Sequence, residues 1–154
     1  MIETVEALGG VEIIIEHKHK PKEIRNYRNT ILDKGRQSII NFLTNQTKST
    51  YVQNMLFGDG GMNENEEKRA VTLDRNSLYG VTRAKKPVIA QVNPTVRNQA
   101  IFTAVLTYDE ANGYSLNEMA LQLNDENLFS MVTFPHIGKT DQMQITYNWK
   151  INVI

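Results

Sequence analysis

Residues 142–154 read QMQITYNWKINVI, and their alternation decides the fold class. Met143, Ile145, Tyr147, Trp149, Ile151 and Val153 fall on one side of an extended chain. Gln144, Thr146, Asn148, Lys150 and Asn152 fall on the other. Period-two alternation of this length describes a strand with one buried and one wet face. Aromatic and β-branched residues on the apolar side suit a pleated, half-buried surface. The stretch predicts a strand that completes a sheet, with Tyr147 and Trp149 in the core and in contact with no ligand.

Upstream, residues 99–141 carry the same kind of signal. IFTAVLTY (101–108) is a strand, and DEANG (109–113) is a tight connection with Asn112-Gly113 as the positive-φ pair. Residues 114–123 return as a strand in which Leu116 is out of phase with Met119, Leu121 and Leu123. That slip predicts a bulge near Asn117 and Glu118. NDEN (124–127) turns into a strand over 128–134, and residues 135–141 lead to the last one. Residues 99–154 are therefore expected to form a four-stranded antiparallel meander.

The first two thirds of the chain read less regularly. VEIIIEHKHK (11–20) predicts a strand with Val11, Ile13, Ile15, His17 and His19 on one face, stopped by Pro21. Residues 23–31 stay open between strand and coil. Asp33 is expected to cap a helix over about 33–45, with Leu32, Arg36, Ile39 and Leu43 on a narrow buried stripe. NQTKST (45–50) ends it. Residues 51–57 enter the turn Gly58-Asp59-Gly60-Gly61, whose glycines permit backbone angles closed to other residues. MNENEEK (62–68) is a mobile surface loop, and residues 81–96, between Pro87 and Pro94, an extended arm. The whole predicts one domain over 1–154: an N-terminal strand and arm (1–28), then helix, GDGG turn and extended arm (29–98), then the meander (99–154). Its class is mainly β (α+β), a sandwich-like antiparallel sheet with one packed α-helix.

Composition narrows the function classes. Seventeen basic residues balance seventeen acidic ones, so no global charge draws the chain to nucleic acid or membrane. The charge is polarised, however. Residues 18–36 hold seven basic residues against Glu23 and Asp33, whereas residues 101–154 hold Lys139 and Lys150 against six acids. The absence of cysteine removes disulfides, thiolate nucleophiles and the usual zinc sites. MIETVEALGGVEIII lacks the pattern of a signal peptide, and no stretch reaches the ~20 apolar residues of a membrane span. Synthesis in a reducing cytoplasm is expected, and an ordered Met1 would point to an assembly that ties the N-terminus down.

Candidate chemistry is sparse. FGDGG (57–61) lacks the spacing of either common nucleotide-binding motif and reads as a glycine turn. Asp59, Asn63, Asn65 and Glu67 miss the geometry of a calcium loop. His17 and His19 share a strand face, but His136 is distant, so three metal ligands do not converge. Glu118, among apolar strand neighbours, needs a partner such as an arginine or backbone amides, and a structural salt bridge is the favoured expectation. Lys18, Lys20, Lys22, Arg25 and Arg28, with Arg83, Lys85 and Lys86, lack the aromatic pattern of a single-strand platform. They are expected to contact the acidic half of a neighbouring copy, which a heterologous ring would allow.

In order and spacing the chain resembles tailed-bacteriophage virion proteins, among them tail-fibre attachment domains and small baseplate or tail components. The matching pieces are residues 29–35 with Ile39 and Leu43, Phe57-Gly58-Asp59-Gly60, Thr72-Leu73, Gly113, Glu118 with Leu121, Phe129, Phe134-Pro135, Lys139 and Trp149. The N-terminal strand lies outside that pattern, and the chain stops where a fibre would run on into a shaft. The resemblance implies a non-enzymatic, multi-copy tail, baseplate or collar component or fibre-attachment adaptor, located in the virion. Its partners would be other copies of itself and other virion proteins, with no membrane, small-molecule substrate, cofactor or metal. Gly58, Gly60, Gly113, Glu118 and Trp149 would be structural, and no catalytic residue is carried over. A capsid decoration or head-fibre protein, a nucleic-acid-binding module and a hydrolase are the rival readings.

Overall fold

A computed structural model describes residues 3–47 and 49–154; Met1, whose order would point to an assembly, and Lys48, in the helix-ending segment, lie outside them. The elements in chain order are β1 (Ala7–His17), β2 (Glu23–Arg28), β3 (Thr30–Ile31), α1 (Asp33–Leu43), β4 (Val52–Gly58), β5 (Thr82–Pro87), β6 (Ile89–Val92), β7 (Gln99–Leu106), β8 (Ser115–Leu123), β9 (Leu128–Gly138) and β10 (Met143–Val153). They form two five-stranded antiparallel sheets, ordered β2-β1-β10-β7-β6 and β3-β9-β8-β4-β5. One cluster of buried side chains joins them, with Val11, Ile13, Tyr147 and Trp149 from the first sheet and Phe57, Met119, Leu121 and Phe134 from the second. The fold is the expected β-sandwich with one helix.

β10 does not close a sheet; it is the middle strand of its own. Trp149 sits between Val11 of β1 and Phe102 of β7, and Tyr147 between Ile13 and Ala104. Ile145, Tyr147 and Trp149 are fully buried, as the alternation predicts. Each contributes about 1.5–3 kcal/mol of burial. The Phe57 and Tyr147 rings meet across the core with centroids 4.6 Å apart.

Residues 99–154 are not a meander. β8 and β9 pair as a hairpin in one sheet, while β7 and β10 pair in the other. The DEANG segment therefore crosses between sheets, and its positive-φ residues are Ala111 and Gly113 rather than Asn112 and Gly113. The bulge is where the out-of-phase Leu116 places it. Register slips between Leu116 and Glu118, so that Phe134, Pro135 and His136 face Asn117 alone. That irregularity accommodates Pro135, which has no amide to give a ladder.

Residues that read as coil or arm turn the corners of the sandwich. Residues 23–31 divide into β2 in one sheet and β3 in the other, with Asn29 alone between them. Residues 81–96 are no free arm. β5 pairs with β4, β6 pairs with β7, and Val88 makes the step between sheets. Strands that change sheet at a bend are a standard way to make such corners. At the first corner the Asn29 amide donates to the Gly9 carbonyl at 3.1 Å. A Cβ on Gly9 would lie 2.5 Å from Asn29 Oδ1, so the glycine makes room for the corner side chain. β1 ends at His17, which leaves Lys18, His19 and Lys20 in a bend.

The helix differs most from expectation. Asp33 is its first residue and not its cap; Leu32 occupies the cap position with no side-chain hydrogen bond. The Asp33 amide instead donates to the Leu73 carbonyl at 2.9 Å. α1 packs on β9 through Gly35, whose Cβ, if present, would lie 2.2 Å from the Phe129 carbonyl oxygen. Leu32 is buried and Ile39 half-buried, but Arg36 and Leu43 are exposed, so the expected stripe is not a buried face. The helix closes with Asn45 at positive φ, the Gln46 amide donating to Asn41 and the Asn45 amide to Phe42. This is a Schellman ending with asparagine in the glycine position.

Candidate functional site

The densest polar construction is built on Glu118. The bulge turns this residue into the interior, where it is fully buried. Its Oε1 accepts from the amides of Gly60 at 3.0 Å and Gly80 at 2.8 Å, and its Oε2 accepts from the Tyr79 amide at 2.7 Å. The expected salt bridge is absent among the described residues; three backbone donors satisfy the carboxylate instead. Neighbouring Asn117 Oδ1 accepts from the Gly61 amide at 2.7 Å.

The glycines serve this knot by their size. None of Gly58, Gly60 and Gly61 has positive φ, contrary to the expected role. A Cβ on Gly60 would sit 2.2 Å from the Gly80 nitrogen, and one on Gly61 2.2 Å from the Asn117 carbonyl oxygen. Gly113, the other structural glycine, does adopt a positive φ, +91°. Around the knot, Asp59 pairs with Arg83 at 2.8 Å, and Arg75 lies over the Tyr79 ring. Both carboxylate oxygens of Glu118 accept backbone amides, so the fold itself holds this side chain in place.

The basic residues do not converge. Lys18, Lys20, Lys22, Arg25 and Arg28 belong to β2 and the bend before it; Arg83, Lys85 and Lys86 belong to β5. These strands are edges of different sheets. Arg25 pairs with Glu23, which His17 also contacts. Those two partners hold the Glu23 carboxyl below its ordinary range, His17 contributing most. Lys86 pairs with Glu110 at 2.6 Å, and with Thr107 it likewise lowers the Glu110 carboxyl. Lys18 stands over the Tyr108 ring at 4.8 Å. Lys20, Lys22, Arg28 and Lys85 are exposed, with no ion pair among the described residues.

Other candidates also stay apart. His17 contacts Glu23, His19 is exposed, and His136 Nδ1 lies 3.1 Å from Asn117 Nδ2. Asn63 Oδ1 accepts from the amides of Asn65 and Glu67, so it shapes its own loop. Among the described residues no group of three His, Asp or Glu side chains could hold a metal, and no helix is long and apolar enough to cross a membrane. A cleft of about 790 Å³ opens beside Gly9 and Gly10, with Asn29, Arg36 and Lys150 on its walls. Its single carboxylate, Glu12, accepts from Asn148 Nδ2.

No protein-family model, curated protein or solved structure matches the chain.

Three features escape a reading of the sequence. Lys139 is buried, its ammonium donating to Asn112 Oδ1 and the Thr140 carbonyl, and burial pushes its pKa down. Its only sequence signal is a lone lysine between apolar strands. On α1, Ile40, Phe42 and Leu43 are 57%, 62% and 71% exposed. On β6, Ile89 and Val92 are also largely exposed.

Proposed function

We propose that this chain is a non-catalytic structural subunit of a tailed-bacteriophage virion, present in several copies in the tail, baseplate or collar. The observation that carries the assembly part is the end of α1. Three large apolar side chains, Ile40, Phe42 and Leu43, stand in solvent on a helix whose buried residue is Gly35 and whose Ile39 packs on the core. Large apolar side chains left in solvent at one helix end fit a contact with another protein. The virion part rests on the resemblance in residues 29–154, whose pieces fall at the helix, the Glu118 knot and the core strand β10. The polar groups of the knot are spent on the fold, which fits a subunit that works by burial and not by chemistry. In this role α1 docks on another copy or on another virion protein.

The test is incorporation into particles. Peptides of this chain should appear in density-banded virions in stoichiometric, multiple-copy amounts. Their confinement to the soluble fraction of the lysate, with none in banded particles, would overturn the reading.

A further inference from the structure

The sandwich has four edge strands, and three of them are guarded. β2 carries Glu23, Arg25 and Arg28. β5 carries Arg83, Lys85, Lys86 and Pro87. β3 is two residues long and runs straight into α1. Charges, proline and shortness are the usual devices that stop edge-to-edge pairing. β6, reading Ile-Ala-Gln-Val, has no charge and no proline, and all four of its residues are exposed. Ile89 is 74% and Val92 64% exposed.

The free groups of this edge can be assigned. β6 runs antiparallel to β7, and the Asn93 amide donates to the Gln99 carbonyl at 2.9 Å. Backbone groups alternate in direction along a strand, so Gln91 and Ile89 also face β7, while Ala90 and Val92 face away from it. At the other end, the Val88 amide donates to Gln53 of β4, after which the chain peels off that strand. The amides and carbonyls of Ala90 and Val92 therefore have no partner among the described residues.

We infer that β6 pairs with β6 of a second copy of this chain, antiparallel about a twofold axis. The register that uses every free group sets Ala90 opposite Val92 of the second copy and Gln91 opposite its own equivalent on the axis. Side chains keep their faces in that register, and the β2-β1-β10-β7-β6 sheets of the two copies join into one of ten strands. The neutrality of the strand selects the occupant. Two copies of β6 meet with no charged side chain in the seam, whereas self-pairing of β2 or β5 would bring the cations of both copies into one seam. The contact rests on the assembly reading above and names one of its interfaces, separate from α1. It is short, so the dimer forms in a concentration-dependent way.

The experiment is mass measurement of the full chain across concentrations at about 1 M salt, where screening length falls to ~3 Å and charge-driven contacts are lost. The expected result is a rise from the 17.6 kDa chain mass toward twice that value. Ala90→Pro deletes an outward amide without touching the β7 ladder, and should hold the chain at single mass. Gln91→Lys, compared with the wild type at low salt, where its two cations face each other unscreened on the axis, should weaken association about fivefold or more. Both variants should keep the wild-type melting temperature within a few degrees; should the proline variant not fold, the lysine variant decides. Association unchanged in Gln91→Lys overturns the β6 contact and leaves the assembly reading standing. Single mass at every concentration also overturns the contact, while incorporation into particles separately decides the assembly reading.

Discussion

Glu118 Oε1 accepts the Gly80 amide at 2.8 Å across 38 residues of sequence, and the same oxygen holds Gly60. One buried carboxylate thus ties β8 to both ends of the long connection between β4 and β5. Removing it leaves three backbone donors without an acceptor, each costing about 1–3 kcal/mol. Glu118→Ala should lose at least ~3 kcal/mol in urea unfolding. Glu118→Gln keeps an oxygen for Gly60 and Gly80 but turns an NH2 group toward Tyr79, and should lose about 2 kcal/mol. An alanine variant within about 0.5 kcal/mol of wild type would show that the knot is not what holds the loop.

Tyr147 gives a prediction of the opposite sign. Its hydroxyl is buried with no hydrogen-bond partner among the described residues. Tyr147→Phe removes that hydroxyl and keeps the ring against Phe57, so stability at neutral pH should stay level or rise by about 1 kcal/mol. Burial also pushes the Tyr147 pKa up, because the phenolate cannot be solvated. The folded pKa lies above the unfolded value near 10, so the favourable contribution is full below about pH 10 and falls away above it. The phenylalanine variant should therefore keep its stability better at high pH. A loss above about 1 kcal/mol at pH 7 would mean the hydroxyl has a partner.

The contrast between these two residues shows what a sequence exposes. Tyr147 is legible because alternation is local: its neighbours at 145 and 149 already define its face. The bulge at Glu118 is legible for the same reason, since Leu116 breaks phase within the strand. The partners of Glu118 are backbone amides 38, 39 and 58 residues away, and an amide leaves no mark on composition. The corners at Asn29 and Val88 are hidden likewise, because neither residue type signals a change of sheet. Alternation can place a strand's face but not its neighbour, which is why β7 to β10 read as a meander. On α1 the apolar residues were a fair signal of burial, but Gly35 chose the contact face and left Ile40, Phe42 and Leu43 outside.

The basic edge of the sandwich is a proposed contact with a neighbouring subunit, and charge reversal tests it. Lys22, Arg25 and Arg28 lie in or just before β2, where Arg25 already pairs with Glu23. Reversing all three to Glu should weaken association at low ionic strength and leave little difference at high salt, where exposed charges are screened. Folding should change by no more than about 1 kcal/mol, since exposed pairs contribute little. Assembly unchanged at low salt would remove this edge from the interface.

Gly35 separates helix propensity from packing. In an exposed helix interior, glycine to alanine stabilises by about 1 kcal/mol, because the unfolded glycine has more freedom to lose. Here the added Cβ would fall 2.2 Å from the Phe129 carbonyl oxygen. That oxygen already accepts the Leu32 amide at 3.0 Å, so backbone on both sides is fixed and no flexible side chain can give way. Overlap of this kind costs about 1–3 kcal/mol or more, and it must be relieved by lifting α1 from β9. Gly35→Ala should therefore destabilise by about 1–3 kcal/mol net, while Lys34→Ala, one position away on the exposed surface, should be neutral or slightly stabilising. Both are read from urea midpoints at constant slope. If Gly35→Ala stabilised the chain as propensity alone dictates, α1 would not be seated on β9 through this glycine, and the apolar residues at its end would have no fixed place from which to meet a partner.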